Sequence, residues 1–254
     1  MVRPTLRATR AAALLAALAL TAASCTPVKG KALGTAPPAN LSAPKLYAAI
    51  GSSDARGTGT DVPLRQAWPQ VLFATLPANF RFVNLALPDA TVADVLAQSL
   101  PIAEDLRPAL VTISLSVEDM LRQVPVATYE AELRTLLHAL RATGATVLLA
   151  NAPPVQDLPG YLACLDGGTL ACSPRIPHPV APAATVAAEV TSYNRAITDV
   201  AQSEGAAVVD LYGAALAAAA QGIGPSLLAA DGLDPNAAGA QRIAAGFAAA
   251  LHRP

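Results

Sequence analysis

The sequence contains few charged and few aromatic residues. Charged residues make up 14% and aromatic residues 4% of the 254 positions, and there is a single Trp. No cluster of Lys and Arg occurs after the first ten residues, and the formal net charge is -1. The basic surface that nucleic acid binding requires is therefore missing, and we expect no nucleic acid partner.

Short motifs for metal and nucleotide binding are also missing. The chain has no CxxC pair, no HExxH, no GxxxxGK[ST] phosphate loop and no GxGxxG fingerprint. We therefore expect no cofactor, and the sequence leaves the presence of a metal unknown. With 53% hydrophobic residues, mainly Ala, Leu and Val, the chain has the composition of one packed domain. We expect this domain to be a monomer.

The N-terminus has the organisation of an export signal over residues 1–25. Three arginines precede an apolar stretch, Ala11 to Leu20, that is too short for a stable membrane span. Cys25 follows Ala22-Ala23-Ser24, which resembles the lipobox of bacterial lipoproteins, in which the cysteine carries the lipid. Because Ala22 stands where Leu is usual, a cleaved secretory peptide and a retained signal anchor remain alternatives.

A Pro-bearing segment without periodicity follows over residues 26–44 and is typical of a tether. The folded domain is expected over residues 45–254. We therefore expect an exported protein that a lipid on Cys25 anchors to the membrane of the bacterial cell envelope. If Cys25 is not modified, the protein would be secreted.

Two further cysteines, Cys164 and Cys172, flank a short loop that contains glycine. In an oxidising compartment such a pair favours a local disulfide over a reactive thiol pair.

Apolar runs alternate with amphipathic runs along the domain, which indicates βαβ units around a mostly parallel sheet. One amphipathic run has leucines at 133, 136, 137 and 140 and ends at Gly144, and two more helices are expected over 184–203 and 236–251. The expected strands cover residues 45–50, 81–86, 109–115, 145–150 and 206–211.

Ligands of open α/β sheets bind outside the carboxyl ends of the strands, so the residues that follow each strand are the candidates for chemistry. Acidic and hydroxyl side chains dominate these positions. They include Ser53, Asp54, Asp89, Glu118 and Asp119.

Four sequence blocks in order resemble the SGNH (GDSL-type) hydrolase family. The first is Gly51-Ser52-Ser53 with Gly57, and the second runs from Asn84 to Thr91. The third runs from Val111 to Asp119, and the last from Asp231 to Pro235. The resemblance implies a single-domain, three-layer α/β/α sandwich of the flavodoxin-like type.

The resemblance also implies which residues would carry the chemistry. In the family a serine attacks an acyl carbon, a histidine takes its proton, and an aspartate three residues earlier orients that histidine. Ser53 matches the nucleophile and Asp231 the orienting acid. The family histidine is replaced by Asp234, and the two oxyanion-hole positions hold Asp89 instead of glycine and Glu118 instead of asparagine.

These departures leave the activity open. Aspartate ordinarily has a pKa near 4 and is a poor acceptor for a serine proton, and Glu118 adds negative charge where negative charge must develop. Asp89 is the mildest change, because its backbone N–H can still point inward. His138 and His252 are expected at the surface, whereas His178 lies in a Pro-rich segment that could fold over the pocket.

Three functions remain possible. The first is an ester hydrolase for carboxylic esters or acetylated glycans that uses Ser53, and the second is a binding protein on the same scaffold. A structural envelope lipoprotein without pocket function is the third. Because Asp54, Asp89, Glu118, Asp231 and Asp234 gather carboxylates, the pocket is expected to favour a cation, either Ca²⁺ or a cationic ligand group. The alternative is drift in an unused site.

Overall fold

All five expected strands are present in the computed structural model, which describes residues 43–166 and 172–252. The signal segment, Cys25 and nearly all of the expected tether lie outside the described residues. Within the described part of the chain, every helix is too short or too polar to cross a bilayer. The strands are β1 (Lys45–Gly51), β2 (Phe80–Asn84), β3 (Leu110–Ser114), β4 (Thr146–Ala150) and β5 (Ala207–Val209).

Helices connect and flank the strands, and two short 3₁₀ turns cover Val155–Asp157 and Gly224–Leu227. The first helices are α1 (Ser53–Arg56), α2 (Pro63–Gln66), α3 (Trp68–Phe73), α4 (Val92–Gln98), α5 (Leu100–Leu106) and α6 (Val117–Leu121). The remaining helices are α7 (Val126–Ala142), α8 (Pro159–Asp166), α9 (Ala183–Glu204), α10 (Leu211–Ala220) and α11 (Ala237–Leu251).

The strands form one sheet in the order β2-β1-β3-β4-β5, and every pairing is parallel. The sheet separates two cores because successive side chains of a strand point to opposite faces. On one face, Ile50 packs in the core that contains the buried sides of α4, α7 and α9. On the other, Tyr47 packs in the core that contains α3 and α11. The predicted fold, a three-layer α/β/α sandwich with a parallel sheet, is thereby confirmed.

The long helices follow the predicted hydrophobic periodicity. In α7 the four leucines at 133, 136, 137 and 140 are buried together. The chain turns at Gly144 with a φ of 90° before β4 begins, a conformation that favours glycine. The expected helix over 236–251 begins one residue later, because Asn236 is its N-cap and accepts hydrogen bonds from the backbone N–H of Ala238 and Gly239.

The longest excursion from the sandwich lies between β4 and α9. It contains α8 and the Pro-rich segment over residues 172–182. A disulfide joins Cys164 at the end of α8 to Cys172, with Cα atoms 4.6 Å apart, as the sequence predicted. The segment that follows Cys172 is therefore tied to α8.

Candidate functional site

Ser53 lies at the carboxyl end of β1, as the sequence predicted. The turn that carries it passes close to β3 at Gly51, where an added Cβ would lie 2.9 Å from the Ser114 carbonyl oxygen and 2.7 Å from the Ala55 Cβ. Glycine is therefore needed at this position. Ser53 is the first residue of α1 and is buried.

The hydroxyl of Ser53 forms hydrogen bonds with Asp89 in both directions. It donates to Asp89 Oδ1 over 2.8 Å and accepts from the Asp89 backbone N–H over 2.9 Å. Asp89 adopts the left-handed region with a φ of 50°, which Asp tolerates better than most residues. The Asp89 backbone N–H therefore points toward Ser53, as expected. The Asp89 carboxylate also lies beside the Ser53 hydroxyl.

Asp54 follows Ser53 in α1, is half-buried and lines the pocket. Its Oδ2 accepts hydrogen bonds from the Ser114 hydroxyl at 2.6 Å and from the Trp68 indole N–H at 3.2 Å. Burial raises the pKa of Asp54, and these hydrogen bonds oppose the rise. The Trp68 ring stacks on Phe247 of α11, with centroids 4.4 Å apart. Asp54 thus links the site to the packing of α3 and α11.

Two adjacent acids at the start of α6 have different surroundings. Glu118 lines the pocket, whereas Asp119 points into the protein, where its Oδ1 accepts a hydrogen bond from the Val92 backbone N–H. Asp119 Oδ2 has no hydrogen-bond partner within the described residues. Burial raises the pKa of both acids, and that of Asp119 rises to about 7.

The last block brings Asp231 and Asp234 together in one turn. Asp231 Oδ1 accepts the backbone N–H of Leu233 and of Asp234, at 3.0 and 3.1 Å. Asp234 lines the pocket beside Ser53, whereas Asp231 lies behind it and does not. Of these two acids, both of which the sequence placed among the carboxylates of the pocket, only Asp234 lines it.

The pKa of Asp234 departs from the ordinary aspartate value near 4. Its carboxylate is buried, and this burial raises its pKa to about 7, with Asp231 adding to the rise and Arg175 opposing it. The depth of burial that causes this rise cannot be read from the sequence alone.

Arg175 occupies the centre of the acidic cluster. Its Nη1 lies 2.9 Å from Asp234 Oδ2, its Nη2 donates to Glu118 Oε1, and its Nε lies 3.3 Å from Asp89 Oδ1. Although burial opposes the charge, these three carboxylates raise the pKa of the guanidinium. The cluster therefore already contains a cation, which is a side chain of the chain itself and not the Ca²⁺ or cationic ligand group that was expected.

Arg175 is not among the site residues predicted from the sequence, although the sequence contains a signal for it. It is the only Lys or Arg between Arg141 and Arg195, and it follows Cys172 by three residues. A lone cation in a segment fixed by a predicted disulfide, opposite a predicted excess of carboxylates, could have been paired with them.

The three histidines lie away from the pocket. The side chain of His138 is 77% exposed and contacts Glu204, and His252 follows the end of α11. His178, whose position the sequence left open, is exposed, with its Nε2 3.8 Å from Cys172 Sγ. None of the three is among the pocket residues. Within the described residues, no group of three or more His, Cys, Asp and Glu is arranged to hold a metal ion.

A pocket of about 450 Å³ opens beside Ser53 and continues between α10 and α11. Its polar end contains the hydroxyls of Ser52, Ser53, Ser114 and Ser116 together with the Arg175 cluster. The rest is lined mainly by alanine and leucine side chains. This size is within the range of small-molecule sites.

Several of the solved structures that resemble the chain are described as esterases or lipases. The structure of TesA is 25% identical, with a TM-score of 0.60, and the match covers 82% of this chain and 98% of that one. A mutant of the acetylxylan esterase Axe2 from Geobacillus stearothermophilus is 19% identical, with a TM-score of 0.63 and coverage of 84% and 96%. The psychrotrophic esterase EstA from Pseudoalteromonas sp. is 18% identical, with a TM-score of 0.58 and coverage of 82% and 96%.

Comparison at the level of sequence gives the family. No curated protein matches the chain significantly. The sequence model of the GDSL-like lipase/acylhydrolase family matches residues 49–242, which include all four blocks. The chain therefore belongs to the GDSL-like lipase/acylhydrolase family.

Proposed function

We propose that this family member binds a small molecule in the pocket beside Ser53 without hydrolysing it. The observation that carries the proposal is the position of Arg175, which engages three carboxylates at the places where the family has its histidine and its oxyanion donors. An ester or a glycan fragment remains possible as the ligand.

The hydrogen bonds of Ser53 support a non-catalytic site. A nucleophilic serine needs a base that accepts its proton, whereas the Ser53 proton points to Asp89. Asp89 is itself in contact with the Arg175 guanidinium. Removal of the histidine base from a well-studied serine protease costs about 10⁶ in turnover.

The charge at Glu118 also opposes ester hydrolysis. Attack on an ester places negative charge on the carbonyl oxygen, and loss of one donor to that oxygen costs about 10² to 10³ in rate. A carboxylate at this position replaces the donor by an acceptor. Its pairing with Arg175 reduces this repulsion, but the guanidinium is then engaged with Glu118 and Asp234.

One observation favours the second candidate function, an ester hydrolase that uses Ser53. The pKa of Asp234 is about 7, which is near the value that suits a general base at neutral pH. However, the Asp234 carboxylate lies 2.9 Å from Arg175 Nη1 and makes no hydrogen bond with Ser53 in the described structure.

Ester hydrolysis tests the choice between the two functions. We expect wild type and Ser53→Ala to give the same background rate with 4-nitrophenyl acetate and butyrate between pH 6 and 9. Asp105→Asn, at an exposed position outside the pocket, serves as the control substitution, and thermal unfolding of each variant checks for general loss of structure. Turnover by wild type that Ser53→Ala abolishes would contradict the proposal and favour the hydrolase.

A restored enzyme gives a positive control for the same assay. The variant Glu118→Asn, Arg175→Ala, Asp234→His returns the family residues at positions 118 and 234, keeps Asp89 and removes the guanidinium. Because Asp231 is already held against the backbone of this turn, a histidine at 234 has an orienting acid nearby. General base catalysis contributes about 10² to 10⁴, so we expect Ser53-dependent turnover at least about 10²-fold above wild type.

We further propose that the protein is exported and anchored by a lipid on Cys25. The support is the arginine-rich start, the apolar stretch and the small residues before Cys25. Metabolic labelling with a palmitate analogue should label wild type and not Cys25→Ser, and wild type should fractionate with membranes. Equal labelling of both, or none of wild type, would contradict the lipid anchor.

A further inference from the structure

The pocket has a polar part beside Ser53 and an apolar part farther from it. Of the four family blocks, only the last one adjoins the apolar part. The apolar part is formed by one face of α10, the 3₁₀ turn Gly224–Leu227 and the start of α11. Leu211, Ala218, Leu227 and Ile243 are among its lining residues. Their side chains offer no hydrogen-bonding group to a ligand.

Close packing at Gly239 gives this part its shape. A Cβ at Gly239 would lie 2.2 Å from the Leu227 carbonyl oxygen and 2.9 Å from the Pro235 Cβ. Glycine therefore lets α11 start directly against the 3₁₀ turn. The side of α10 that faces α11 carries alanines, whose small side chains do not fill the space between the two helices. The cavity therefore extends between α10 and α11.

The length of this part suits an extended aliphatic chain. Leu211 and Ala218 both line the pocket and are seven residues apart on α10, which corresponds to about 10 Å along the helix. Burial of apolar ligand surface here gains about 25 cal/mol per Å². A ligand with polar groups along its length would lose its hydrogen bonds to water against these walls.

The charges of the pocket indicate the head group. Arg175 is neutralised by three carboxylates, so the polar end does not attract an anion. Arg242 also lines the pocket, from the exposed side of α11, and makes no ion pair with any carboxylate of the described residues. It lies six residues beyond the N-cap Asn236, which corresponds to about 9 Å along the helix from the end of the last block.

From these observations we infer that the pocket binds a single-chain aliphatic anion, with the chain between α10 and α11 and the head group at Arg242. The inference rests on the proposed function, since it names the ligand class of the same site. An anionic head at Arg242 keeps away from the carboxylates near Ser53, while the chain reaches the apolar residues Leu115, Val117 and Leu233 that also line the pocket.

Calorimetric titration of residues 26–254, which lack the signal segment and Cys25 and so need no detergent, tests the inference. The probes are decanoate, decyl phosphate, decanol and decyltrimethylammonium, all below their micellar concentrations. We expect one molecule of decanoate or decyl phosphate per chain, with tighter binding than decanol and the weakest binding for the cation. The two anions separate a carboxylate from a phosphate head group.

Two variants locate the ligand. Arg242→Gln, at an exposed position, should weaken anion binding about five-fold and leave decanol unchanged. Ala218→Phe fills the cavity and should abolish binding of all four probes, with thermal unfolding as the control for folding. Tighter binding of the cation, anion binding unaffected by Arg242→Gln, or no binding of any probe would each overturn the inference.

The two proposals fail in different ways. Ser53-dependent ester turnover would contradict the non-catalytic function, whereas anion binding that depends on Arg242 would still place the ligand between α10 and α11. Absence of probe binding with no ester turnover would overturn the ligand class alone.

Discussion

Glu118 and Asp119 are neighbours in sequence and are buried to nearly the same extent, with 3% and 0% of their surface exposed, but their charges are stabilised in different ways. Glu118 forms an ion pair with Arg175. Asp119 has a single backbone donor, a carboxylate oxygen without a partner, and a pKa of about 7. Glu118 is thus stabilised by a counter-ion, whereas Asp119 is stabilised largely by protonation of its carboxylate.

This difference separates the pocket from the core behind it. A buried ion pair stays charged over a wide pH range but requires both partners, since removal of one leaves an isolated buried charge. A buried acid with a raised pKa requires no partner but makes stability depend on pH. The comparison therefore predicts how the free energy of unfolding changes when Arg175 or the Asp119 carboxylate is removed.

The largest effect on stability is expected for Arg175→Ala, which should make the site resemble Asp119. Glu118 and Asp234 would remain buried without their cation, and breaking such a pair costs about 3 kcal/mol. Their pKa values should rise further, so the loss should be largest near pH 8 and smallest near pH 5. Urea unfolding at both pH values measures it.

A surface ion pair provides the matched control for that experiment. Arg134 pairs with Glu130 on the exposed side of α7, and Arg134→Ala should cost less than about 1 kcal/mol at either pH. Equal losses for Arg134→Ala and Arg175→Ala would mean that the acidic cluster does not depend on Arg175.

A smaller effect is expected from removal of the disulfide that precedes Arg175. The bridge spans eight positions in sequence, and closure of so short a loop contributes roughly 2 to 3 kcal/mol. The double change Cys164→Ser, Cys172→Ser should lower the thermal midpoint accordingly. Because the bridge fixes the Arg175 segment, its effect and that of Arg175→Ala should combine to less than their sum.

Intact mass checks the premise of this prediction. Wild type should gain two hydrogens on reduction, and the double serine variant should gain none. Free thiols in the exported wild-type protein would contradict the disulfide and the expectation of an oxidising compartment.

The smallest effect is expected from Asp119→Asn, and its sign depends on pH. The pKa of Asp119 is raised from its ordinary value of 3.8 to about 7, so the folded state binds more protons than the unfolded state between these values. Wild type therefore loses stability as pH rises from about 4 to 7. Asparagine keeps the oxygen that accepts from Val92 and should stabilise by about 1 to 2 kcal/mol at pH 8, with little change at pH 4.

The exposed Asp105 gives the comparison for the Asp119 experiment. Asp105→Asn should leave the slope of stability against pH unchanged, whereas Asp119→Asn should flatten it. Identical slopes for wild type and Asp119→Asn would show that this carboxylate is not the group that titrates.

The fold could be predicted from the sequence because its signals are local. The apolar strand runs and the leucine periodicity of α7 correspond directly to β1 to β5 and to a buried helix face. The family blocks then placed Ser53, Glu118 and Asp234 at one edge of the sheet, where the pocket lies. The errors at element ends are small, as at Asn236, which caps α11 instead of starting it.

The electrostatics of the site could not be predicted in the same way, because they depend on burial and on contacts across the chain. Arg175 lies 59 residues from Asp234 in sequence, in a segment with no periodic pattern. The raised pKa of Asp234 likewise depends on how deeply the last block is enclosed. Composition indicated that a cation was needed near these acids, but only the three-dimensional structure identifies it.

The position of the only tryptophan provides a spectroscopic probe of this pocket. Trp68 donates its indole N–H to Asp54, which lines the pocket, and its ring stacks on Phe247 of α11, which forms another wall. Its fluorescence comes from one buried ring without background from other indoles. Movement of α11 around a ligand, or ionisation of Asp54, should therefore change the emission of the unlabelled protein.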